Sequence, residues 1–384
     1  MSLPDPASRI AVWQKQAGRH DLPWQGSTDP YRIWLSEIML QQTQASTVIP
    51  YYERFLARFP DVLALADAPA DDVLQAWAGL GYYARARNLH RCAQVIRDTW
   101  QGRFPRGSTA LAELPGIGRS TAAAIAAFAF GERAPILDGN VRRVLARYLA
   151  LEGDTGSTRL MQTLWRHAQA WLDAAPADLD MRAYTQGQMD LGATICTRSH
   201  PDCEHCPLRH DCAARRLGLQ DSLPTPRSRP SQPRHSCCLL ILESDGRLWL
   251  QRRPAQGIWG GLWALPVFAD RAALEAACRE LAAPHAAAIE TLAAFEHVFT
   301  HFRLLIQPLR VTLPGLSRQA ANLLPAPHAT VAESGAARRA KPNPALLPPS
   351  VGQSAWTALD ALSGLGMPAP VARLLDGLYP HPPA

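Results

Sequence analysis

The sequence predicts a multidomain chain in which an all-α domain precedes an α+β domain. Helical periodicity runs through the first 212 residues, whereas two apolar runs flanking Asp245-Gly246 indicate strands in the last third. The 384 residues are enough for two or three domains at roughly 100–200 residues each. With 47% hydrophobic and 19% charged residues, the chain can bury a substantial core.

The α-helical domain is predicted over residues 1–212. Asp29-Pro30 indicates a helix start, with an acidic N-cap and proline in the first turn, ahead of the run YRIWLSEIMLQQTQASTVI. Gly131, after AAAIAAFAF, indicates a helix end. Further helical runs are predicted at about 71–79, 84–100, 119–130, 141–151, 158–174 and 181–195.

A linker is predicted at residues 213–236, where five arginines and four prolines accompany one acid. A plain exposed tether and a strap that follows DNA both fit this composition. The C-terminal domain is predicted over 237–384, with a hairpin at Asp245-Gly246, a helix at 271–283 and one or two strands in HVFTHFRLLIQPLRVTL. A mobile insertion is predicted at about 314–350 and a short helix near 368–377.

The charge and the apolar runs narrow the class of protein. The net charge of +6 suits a polyanionic partner, although it is mild for this length. Arginine carries nearly all of the positive charge, because Lys15 and Lys341 are the two lysines. No apolar run approaches about 18 residues, and the N-terminus lacks a secretory pattern. We therefore expect a cytoplasmic protein that does not associate with membranes.

Four cysteines form the strongest local pattern, Cys196-x6-Cys203-x2-Cys206-x5-Cys212. Four thiolates within 17 residues can surround one metal centre. Zinc is one candidate, but zinc sites usually pair two C-x2-C steps and only one is present. An iron–sulfur cluster is the other candidate, although the spacing is not a common ferredoxin pattern.

The segment Leu114-Pro115-Gly116-Ile117-Gly118 lies between two helical runs. Its glycines allow a tight turn, and the following helix directs its N-terminus at the same place, which favours an anion. A helix-hairpin-helix at about 111–130 would bind the DNA backbone without reading its sequence. A purely structural turn between helices is the alternative.

Taken in order, these motifs resemble a known family. The chain resembles the endonuclease III superfamily of DNA glycosylases in the order of three motifs, LPGIGRSTA, ILDGNVRRVLAR and the four-cysteine loop. WLSEIMLQQTQ, GLGYYARARNL and IWGGLWALP narrow the resemblance to adenine DNA glycosylases of the MutY type. The resemblance implies removal of adenine mispaired with 8-oxoguanine, a helix-hairpin-helix domain, one [4Fe–4S] cluster at 196–212 and a C-terminal Nudix-like domain.

Glu37 fits the general acid that the resemblance implies. It lies among Trp34, Leu35, Ile38 and Met39, and loss of water would raise its pKa enough to keep a proton near neutral pH. Gln41 and Gln44 follow at i+4 and i+7 and are expected on the same helical face, which suits a pocket for the base. The alternative is a buried glutamate bonded to a structural partner.

Asp138 fits the second carboxylate. Cleavage of the N-glycosidic bond leaves a sugar with oxocarbenium character, which needs a negative charge nearby, as in glycoside hydrolysis. A simple helix N-cap is the alternative, and one aspartate can do both. Whether it attacks the sugar directly is left open. Asn140 is its expected neighbour.

The resemblance also directs attention to Ser120. Relatives that cut the strand carry a lysine there, and a serine hydroxyl cannot form the imine that such cleavage requires. We therefore predict a monofunctional glycosylase. The hydroxyl could cap the helix or orient water.

Further DNA-contacting residues follow from the resemblance or from residue type. Tyr82 and Gln42 are expected to enter the base stack when the adenine is extruded, with hydrophobic packing the alternative for Tyr82. Trp24 and Gln186 are expected in the adenine pocket by resemblance alone.

The C-terminal domain resembles a Nudix fold that has lost its acids. Arg279-Glu280-Leu281 remains, but the following acids are absent, so too few oxygen ligands are left for magnesium. Phe299, Thr300 and His301 lie where relatives have a Phe-Ser-His loop that contacts 8-oxoguanine. A plain strand pair is the alternative.

The favoured interpretation is a monomeric bacterial enzyme, associated with the nucleoid, that acts on double-stranded DNA with A:8-oxoguanine or A:G mispairs. Three rival functions remain: a pyrimidine-lesion glycosylase-lyase, a Nudix pyrophosphatase and a non-catalytic iron–sulfur DNA-binding sensor. Ser120 argues against the glycosylase-lyase, and the missing acids argue against the pyrophosphatase. The presence of both Glu37 and Asp138 argues against the non-catalytic sensor.

Overall fold

The computed structural model divides into two compact units. The first contains Met1–Ala68 and Arg87–Ser228, and the second contains Pro69–Ala86 and Arg229–Ala384. The structure describes residues 4–225, 232–254, 257–285, 287–315, 324, 332–333 and 354–380. The insertion predicted at 314–350 lies almost entirely outside the described residues. Segment 69–86 packs with the C-terminal unit although it lies within the N-terminal half of the sequence.

The regular structure described before residue 218 is helical. The bounds of the helices are α1 Pro6–Ala17, α2 Pro30–Leu40, α3 Ala45–Arg58, α4 Val62–Asp67, α5 Ala70–Ala76, α6 Ala84–Trp100, α7 Ser108–Ala112, α8 Arg119–Phe130, α9 Gly139–Tyr148, α10 Thr158–Asp173, α11 Met181–Asp190 and α12 Ala213–Leu217. A π-helical turn, Leu191–Ile195, continues α11. The helix start at Asp29-Pro30 is confirmed, since the Asp29 carboxylate accepts the N–H of Tyr31.

Close helix packing positions the first unit's core. Helix α11 lies against α1 at Gly187, where a Cβ atom would come 2.7 Å from Ile10 Cγ2 and 2.9 Å from its carbonyl oxygen. Ala168 and Leu172 of α10 join the same buried cluster. Gly131 ends α8 in the left-handed conformation (φ 71°), as the sequence predicts.

The second unit is built on a mixed sheet. Its strands are β1 Arg234–Ser244, β2 Arg247–Arg252, β3 Trp263–Ala264, β4 Val267–Phe268, β5 Ile289–Thr291, β6 Phe295–Val298, β7 Arg303–Leu313, β8 Ala332–Glu333 and β9 Ser354–Ala358. Strand β1 pairs in parallel with β7 along its whole length and antiparallel with β2. Helices α13 Arg271–Ala282 and α14 Ala369–Leu378 accompany the sheet. Leu274, Cys278 and Leu281 of α13 pack on apolar side chains of β1 and β7.

The predicted hairpin is confirmed. Asp245 and Gly246 join β1 to β2 with φ values of 47° and 66°, and two positive φ angles are what a two-residue turn of this type requires. The predicted strand run at 297–313 forms two antiparallel strands, β6 and β7.

The structure differs from two predicted boundaries. The predicted linker begins too early: Ala213–Leu217 is helical, and Leu223 is buried, with its carbonyl accepting from Arg147 at 2.7 Å. The predicted run at 181–195 is a standard helix only to Asp190. In the described part of the chain, no helix combines the length and apolar character needed to span a membrane.

Candidate active site

A cavity of about 410 Å³ opens beside the last turn of α2. This volume lies within the range of roughly 300–1,000 Å³ typical of small-molecule sites. Glu37 forms part of its wall, whereas its helical neighbours Trp34, Leu35 and Ile38 are buried in the core. The wall consists of Gln14, Lys15, Arg19, His20, Leu22, Trp24, Gln25, Gly26, Ser27, Ile33, Ser36, Glu37, Leu40, Ala45, Phe128, Asp180, Arg182, Ala183, Gln186 and Met189.

Burial raises the pKa of Glu37 to about 8, and the negative charge of Asp138 adds to the effect. The side chain keeps some accessible surface because it faces the cavity, but protein replaces most of the water around its carboxyl group. A carboxyl group in such a place holds its proton near neutral pH. Glu37 can therefore donate a proton to a group that enters the cavity.

Asp138 lies at the N-cap of α9, where its Oδ1 accepts the N–H of Val141 at 2.8 Å. Burial raises the pKa of Asp138, whereas the N–H groups of Val141 and Asn140 and the positive charges of Arg142 and Arg143 lower it. These groups stabilise the ionised form of Asp138. Burial has the largest effect, so the pKa of Asp138 is raised overall, although these groups oppose the rise.

Two residues assigned to the base pocket by resemblance line the cavity with Glu37. Trp24 is buried and meets the Tyr52 ring edge-on, with centroids 5.5 Å apart. Gln186 donates from Nε2 to Asp190 Oδ1 at 3.0 Å. Because buried Asp190 also accepts from Arg19 at 2.7 Å, the Gln186 amide is held in one orientation, which leaves its Oε1 as an acceptor.

Contrary to the sequence prediction, Gln41 and Gln44 do not share the helical face of Glu37, because α2 ends at Leu40. Gln41 is its C-cap, and Gln44 caps the start of α3. Between them Gln42 is exposed, with a left-handed φ of 58°. Such conformations are disfavoured for residues other than glycine and are common at functional sites. The role of Gln42 in the base stack stays a prediction.

Lys15 lines the same cavity, which sequence reasoning did not anticipate. Its Nζ lies 2.7 Å from Asp180 Oδ2, and this contact lowers the pKa of Asp180. The two residues are 165 positions apart, and the packing of α1 on α11 brings them together. No local motif predicts this contact.

The predicted hairpin forms a tight turn before α8. Gly116 has a φ of 79°, and a Cβ atom there would lie 2.7 Å from Asn88 Cβ, so the turn requires glycine. Gly118 is the N-cap of α8, with open space where a side chain would be. Ser120 accepts the N–H of Leu137 at 2.9 Å, next to Asp138. Its hydroxyl thus supports the segment leading to Asp138 instead of capping α8.

Asn140 lies in the first turn of α9 and packs against the π-helical turn. Its Oδ1 accepts from Arg143 Nη2 at 2.8 Å, and the same nitrogen donates to the Gly192 carbonyl at 2.6 Å. A Cβ atom at Gly192 would lie 2.5 Å from the Cβ of Asn140. The segment that carries Asp138 therefore depends on close packing at Gly192.

All four predicted metal-binding cysteines line one cavity, together with apolar side chains such as Ile195 and Leu208. They are free thiols. Within the described ranges, no three or more His, Cys, Asp or Glu side chains are grouped to hold a metal ion. Arginines of α9 hold the loop: Arg143 donates to the Cys196 carbonyl at 2.8 Å, and Arg147 to the Thr197 carbonyl at 2.6 Å. Thiol donors in an apolar cavity suit an iron–sulfur cluster by donor chemistry.

Tyr82, Thr300 and neighbouring aromatic rings form a surface of the second unit. Tyr82 is 44% exposed and has a left-handed φ of 50°, and its hydroxyl lies 2.6 Å from Thr300 Oγ1. Phe299 stacks on Phe302 at 4.3 Å, and His301 meets Phe302 at 4.9 Å. We call Tyr82 with Phe299, Thr300 and His301 the Tyr82–Thr300 surface. Two predicted DNA contacts, 218 positions apart, thus share one hydrogen bond.

Gln232 was not predicted as part of this surface. Its side-chain amide donates to the carbonyls of Phe299 and Thr300, at 3.2 and 3.1 Å. These bonds and the hydrogen bond from the Phe299 N–H to the Phe302 carbonyl at 2.9 Å fix the turn between β6 and β7. A glutamine at the end of a Pro/Arg-rich segment carries no sequence signal for such a role.

Comparison with known proteins identifies two family matches. Residues 35–170 match the family described as "HhH-GPD superfamily base excision DNA repair protein", and residues 237–377 match the NUDIX domain. The chain is 36% identical over 308 residues to the adenine DNA glycosylase of Buchnera aphidicola subsp. Acyrthosiphon pisum (strain APS), covering 80% of this chain and 87% of that protein. It is 34% identical over 369 residues to the Homo sapiens adenine DNA glycosylase, covering 80% of this chain and 66% of that protein.

Proposed function

Since the chain belongs to the adenine DNA glycosylase family, an enzyme family of base excision repair, we propose that it excises adenine paired with 8-oxoguanine. Adenine opposite guanine is the expected second substrate. The reaction is hydrolysis of the N-glycosidic bond. The proposal is carried by Glu37, whose pKa of about 8 keeps it protonated in a cavity that also contains Trp24 and Gln186.

Adenine within a duplex is out of reach, so the base must leave the stack before reaction. The cavity beside Glu37 offers an indole ring from Trp24 for contact with the flipped base and a hydrogen-bond acceptor from Gln186 for its amino group. Glu37 then protonates a ring nitrogen, because adenine is a poor leaving group until it is protonated.

Asp138 acts on the sugar. As the bond to the base lengthens, positive charge develops on the sugar, and the ionised Asp138 stabilises it. The N–H groups of Asn140 and Val141 and the charges of Arg142 and Arg143 favour the ionised form of Asp138 against the effect of burial. Burial and the charge of Asp138 favour the protonated form of Glu37. The two carboxyl groups thus divide acid and anion roles, as in glycoside hydrolases.

The enzyme is proposed to stop after base release. Ser120 has no amine, and its hydroxyl is engaged by the Leu137 N–H. Lys15, which lies in the cavity wall, is engaged in an ion pair with Asp180, its Nζ 2.7 Å from Asp180 Oδ2. Strand cleavage through an imine is therefore not expected.

Cys196, Cys203, Cys206 and Cys212 are proposed to hold one [4Fe–4S] cluster. When bound, such a cluster cross-links the loop by four iron–thiolate bonds and can carry an electron. Arg143 and Arg147 hold the loop against α9, the helix that begins at Asp138.

The Tyr82–Thr300 surface is proposed to contact the base opposite the adenine. Tyr82 has the exposure needed to enter the stack, and Thr300 supplies the hydroxyl expected at the 8-oxoguanine contact. The glycine hairpin with Gly116 and Gly118 and the exposed Gln42 of the first unit are also proposed to bind DNA. We expect a monomer that acts on double-stranded DNA in the bacterial cytoplasm, associated with the nucleoid.

Single-turnover base release from short duplexes tests the proposal. The duplexes carry one adenine opposite 8-oxoguanine, guanine or thymine, and products are separated with and without alkali. We expect release from the first two, with strand breaks only after alkali. Strand breaks without alkali would contradict the monofunctional assignment. Failure to act on the 8-oxoguanine duplex, with activity on A:G, would contradict the proposed substrate.

A further inference from the structure

Segment 69–86 belongs to the C-terminal unit, although its sequence interrupts the helical unit. It contains helix α5 and the turn with Tyr82, and it continues directly into α6. Leu74, Trp77 and Leu80 are buried. The residue predicted to enter the DNA stack is therefore carried by the unit that also carries Thr300.

An ion pair joins this segment to the sheet. Arg252, the last residue of β2, donates from Nη2 to Asp71 Oδ1 in the first turn of α5. Arg252 Nε also donates to the Gly261 carbonyl at 3.3 Å, so the guanidinium is fixed from two sides. The side chains of Arg252 and Asp71 are 27% and 42% exposed.

The loop before α14 approaches the same segment from another direction. A Cβ atom at Gly366 would lie 3.2 Å from the Leu74 carbonyl carbon, so the loop and α5 are in close contact. The Gly366 carbonyl also accepts the N–H of Trp263 in β3 at 3.0 Å. Beyond α5, Tyr83 donates to the Met367 carbonyl at 3.3 Å. This loop therefore connects α5 to the sheet.

The Tyr82 turn is also fixed from within. The Arg85 N–H donates to the Tyr82 carbonyl at 2.8 Å, and its guanidinium lies 5.3 Å from the Tyr82 ring centroid and 5.5 Å from that of Trp77. Arg85 thus links the Tyr82 turn to Trp77 at the end of α5. A change in the position of α5 on the sheet would be transmitted to the Tyr82 hydroxyl, 2.6 Å from Thr300.

We propose that Asp71 and Arg252 are a positioning pair that keeps the Tyr82 hydroxyl within hydrogen-bond distance of Thr300. In this way the pair determines the preference for 8-oxoguanine over guanine opposite the adenine. The inference rests on the proposed function. Neither residue is assigned a contact with DNA. An exposed ion pair contributes little to folding stability, so its main effect is on geometry. Small displacements of groups that bind a reacting complex have large effects on rate.

Charge reversal tests the pair. Asp71→Arg and Arg252→Asp are each made alone and then combined, which restores an ion pair of opposite polarity. The readout is the ratio of single-turnover rate constants on A:8-oxoguanine and A:G duplexes. Each single reversal should lower the ratio about tenfold, a modest coupling for contacting residues, and the double variant should recover most of it.

A merely structural role would lower both rate constants together and leave the ratio unchanged. Unchanged ratios in both single variants, or no recovery in the double variant, would overturn the proposal. Asp71→Asn and Arg252→Gln, which avoid like-charge contacts, give the same test if a reversal impairs folding. Glu275→Arg in α13 breaks the Arg271–Glu275 pair of the same unit (2.7 Å) and is the matched control, with no expected change in the ratio.

The wild-type enzyme separates this inference from the proposed function. If it fails to release adenine opposite 8-oxoguanine, the proposed substrate is wrong. If it releases that adenine faster than adenine opposite guanine, and the reversal variants keep the same ratio, only the positioning role of Asp71 and Arg252 is wrong.

Discussion

Replacing Glu37 by glutamine should abolish base release and stabilise the protein at alkaline pH. The folded pKa is about 8, against 4.5 for the free group, so the folded state binds the proton more tightly than the unfolded state. Stability from this proton is fully present below about pH 4.5 and is lost as the pH rises to 8.

The magnitude follows from linkage. Each pKa unit corresponds to about 1.36 kcal/mol, so wild-type unfolding free energy should fall by about 3 kcal/mol between pH 5.5 and pH 8 from Glu37 alone. Glutamine does not titrate, so the Glu37→Gln variant lacks this contribution. The unfolding free energy of the variant minus that of the wild type should increase by the same amount over this range.

The assay is urea unfolding of both proteins at pH 5.5 and 8, with Glu53→Gln as control. Glu53 is exposed on α3 of the same unit and provides the matched glutamate-to-glutamine replacement at the surface. Parallel pH profiles for wild type and Glu37→Gln would refute the raised pKa. In the wild type, the rate constant for base release should also fall about tenfold per pH unit above pH 8, because the ionised acid has no proton to donate.

Three further predictions concern the other parts of the site. Asp138→Asn should reduce single-turnover base release by at least about 100-fold, the usual cost of losing one transition-state stabilising group, while filter binding of the mispaired duplex is retained. Gly187→Ala should lower the unfolding free energy by about 1–3 kcal/mol, measured by urea denaturation, because the added methyl group meets the backbone of Ile10. Cys206→Ala should remove the visible absorbance and the iron of the purified protein, and retention of both would exclude Cys206 as a ligand.

Elements with local signals were predictable from the sequence. Asp29-Pro30 marks a helix start, Gly131 a helix end and Asp245-Gly246 a hairpin turn. Each follows from the backbone preferences of the residues themselves, and the structure confirms all three. The end of α2 was missed, because the glutamines after Leu40 are good helix formers. Tertiary structure there overrides helix propensity.

Long-range features of the site were not predictable in the same way. Lys15 reaches the Glu37 cavity through the packing of two helices far apart in sequence, and Gln232 reaches Thr300 across 68 positions. The assignment of segment 69–86 to the C-terminal unit likewise depends on Arg252 and Gly366, which lie beyond residue 250. Sequence periodicity reports which face of an element is buried but not what covers it.

The two carboxyl groups lie at opposite ends of their helices, which adds to the difference between their surroundings. Glu37 is in the last turn of α2, where the helix dipole is negative and opposes ionisation. Asp138 is at the N-cap of α9, where two backbone N–H groups and the positive end of the dipole favour the carboxylate. Burial raises the pKa of both groups, and the helix-end effects act on the two in opposite directions. A swap of the two side chains would leave the helix termini in place, so the end effects would oppose an exchange of the acid and anion roles.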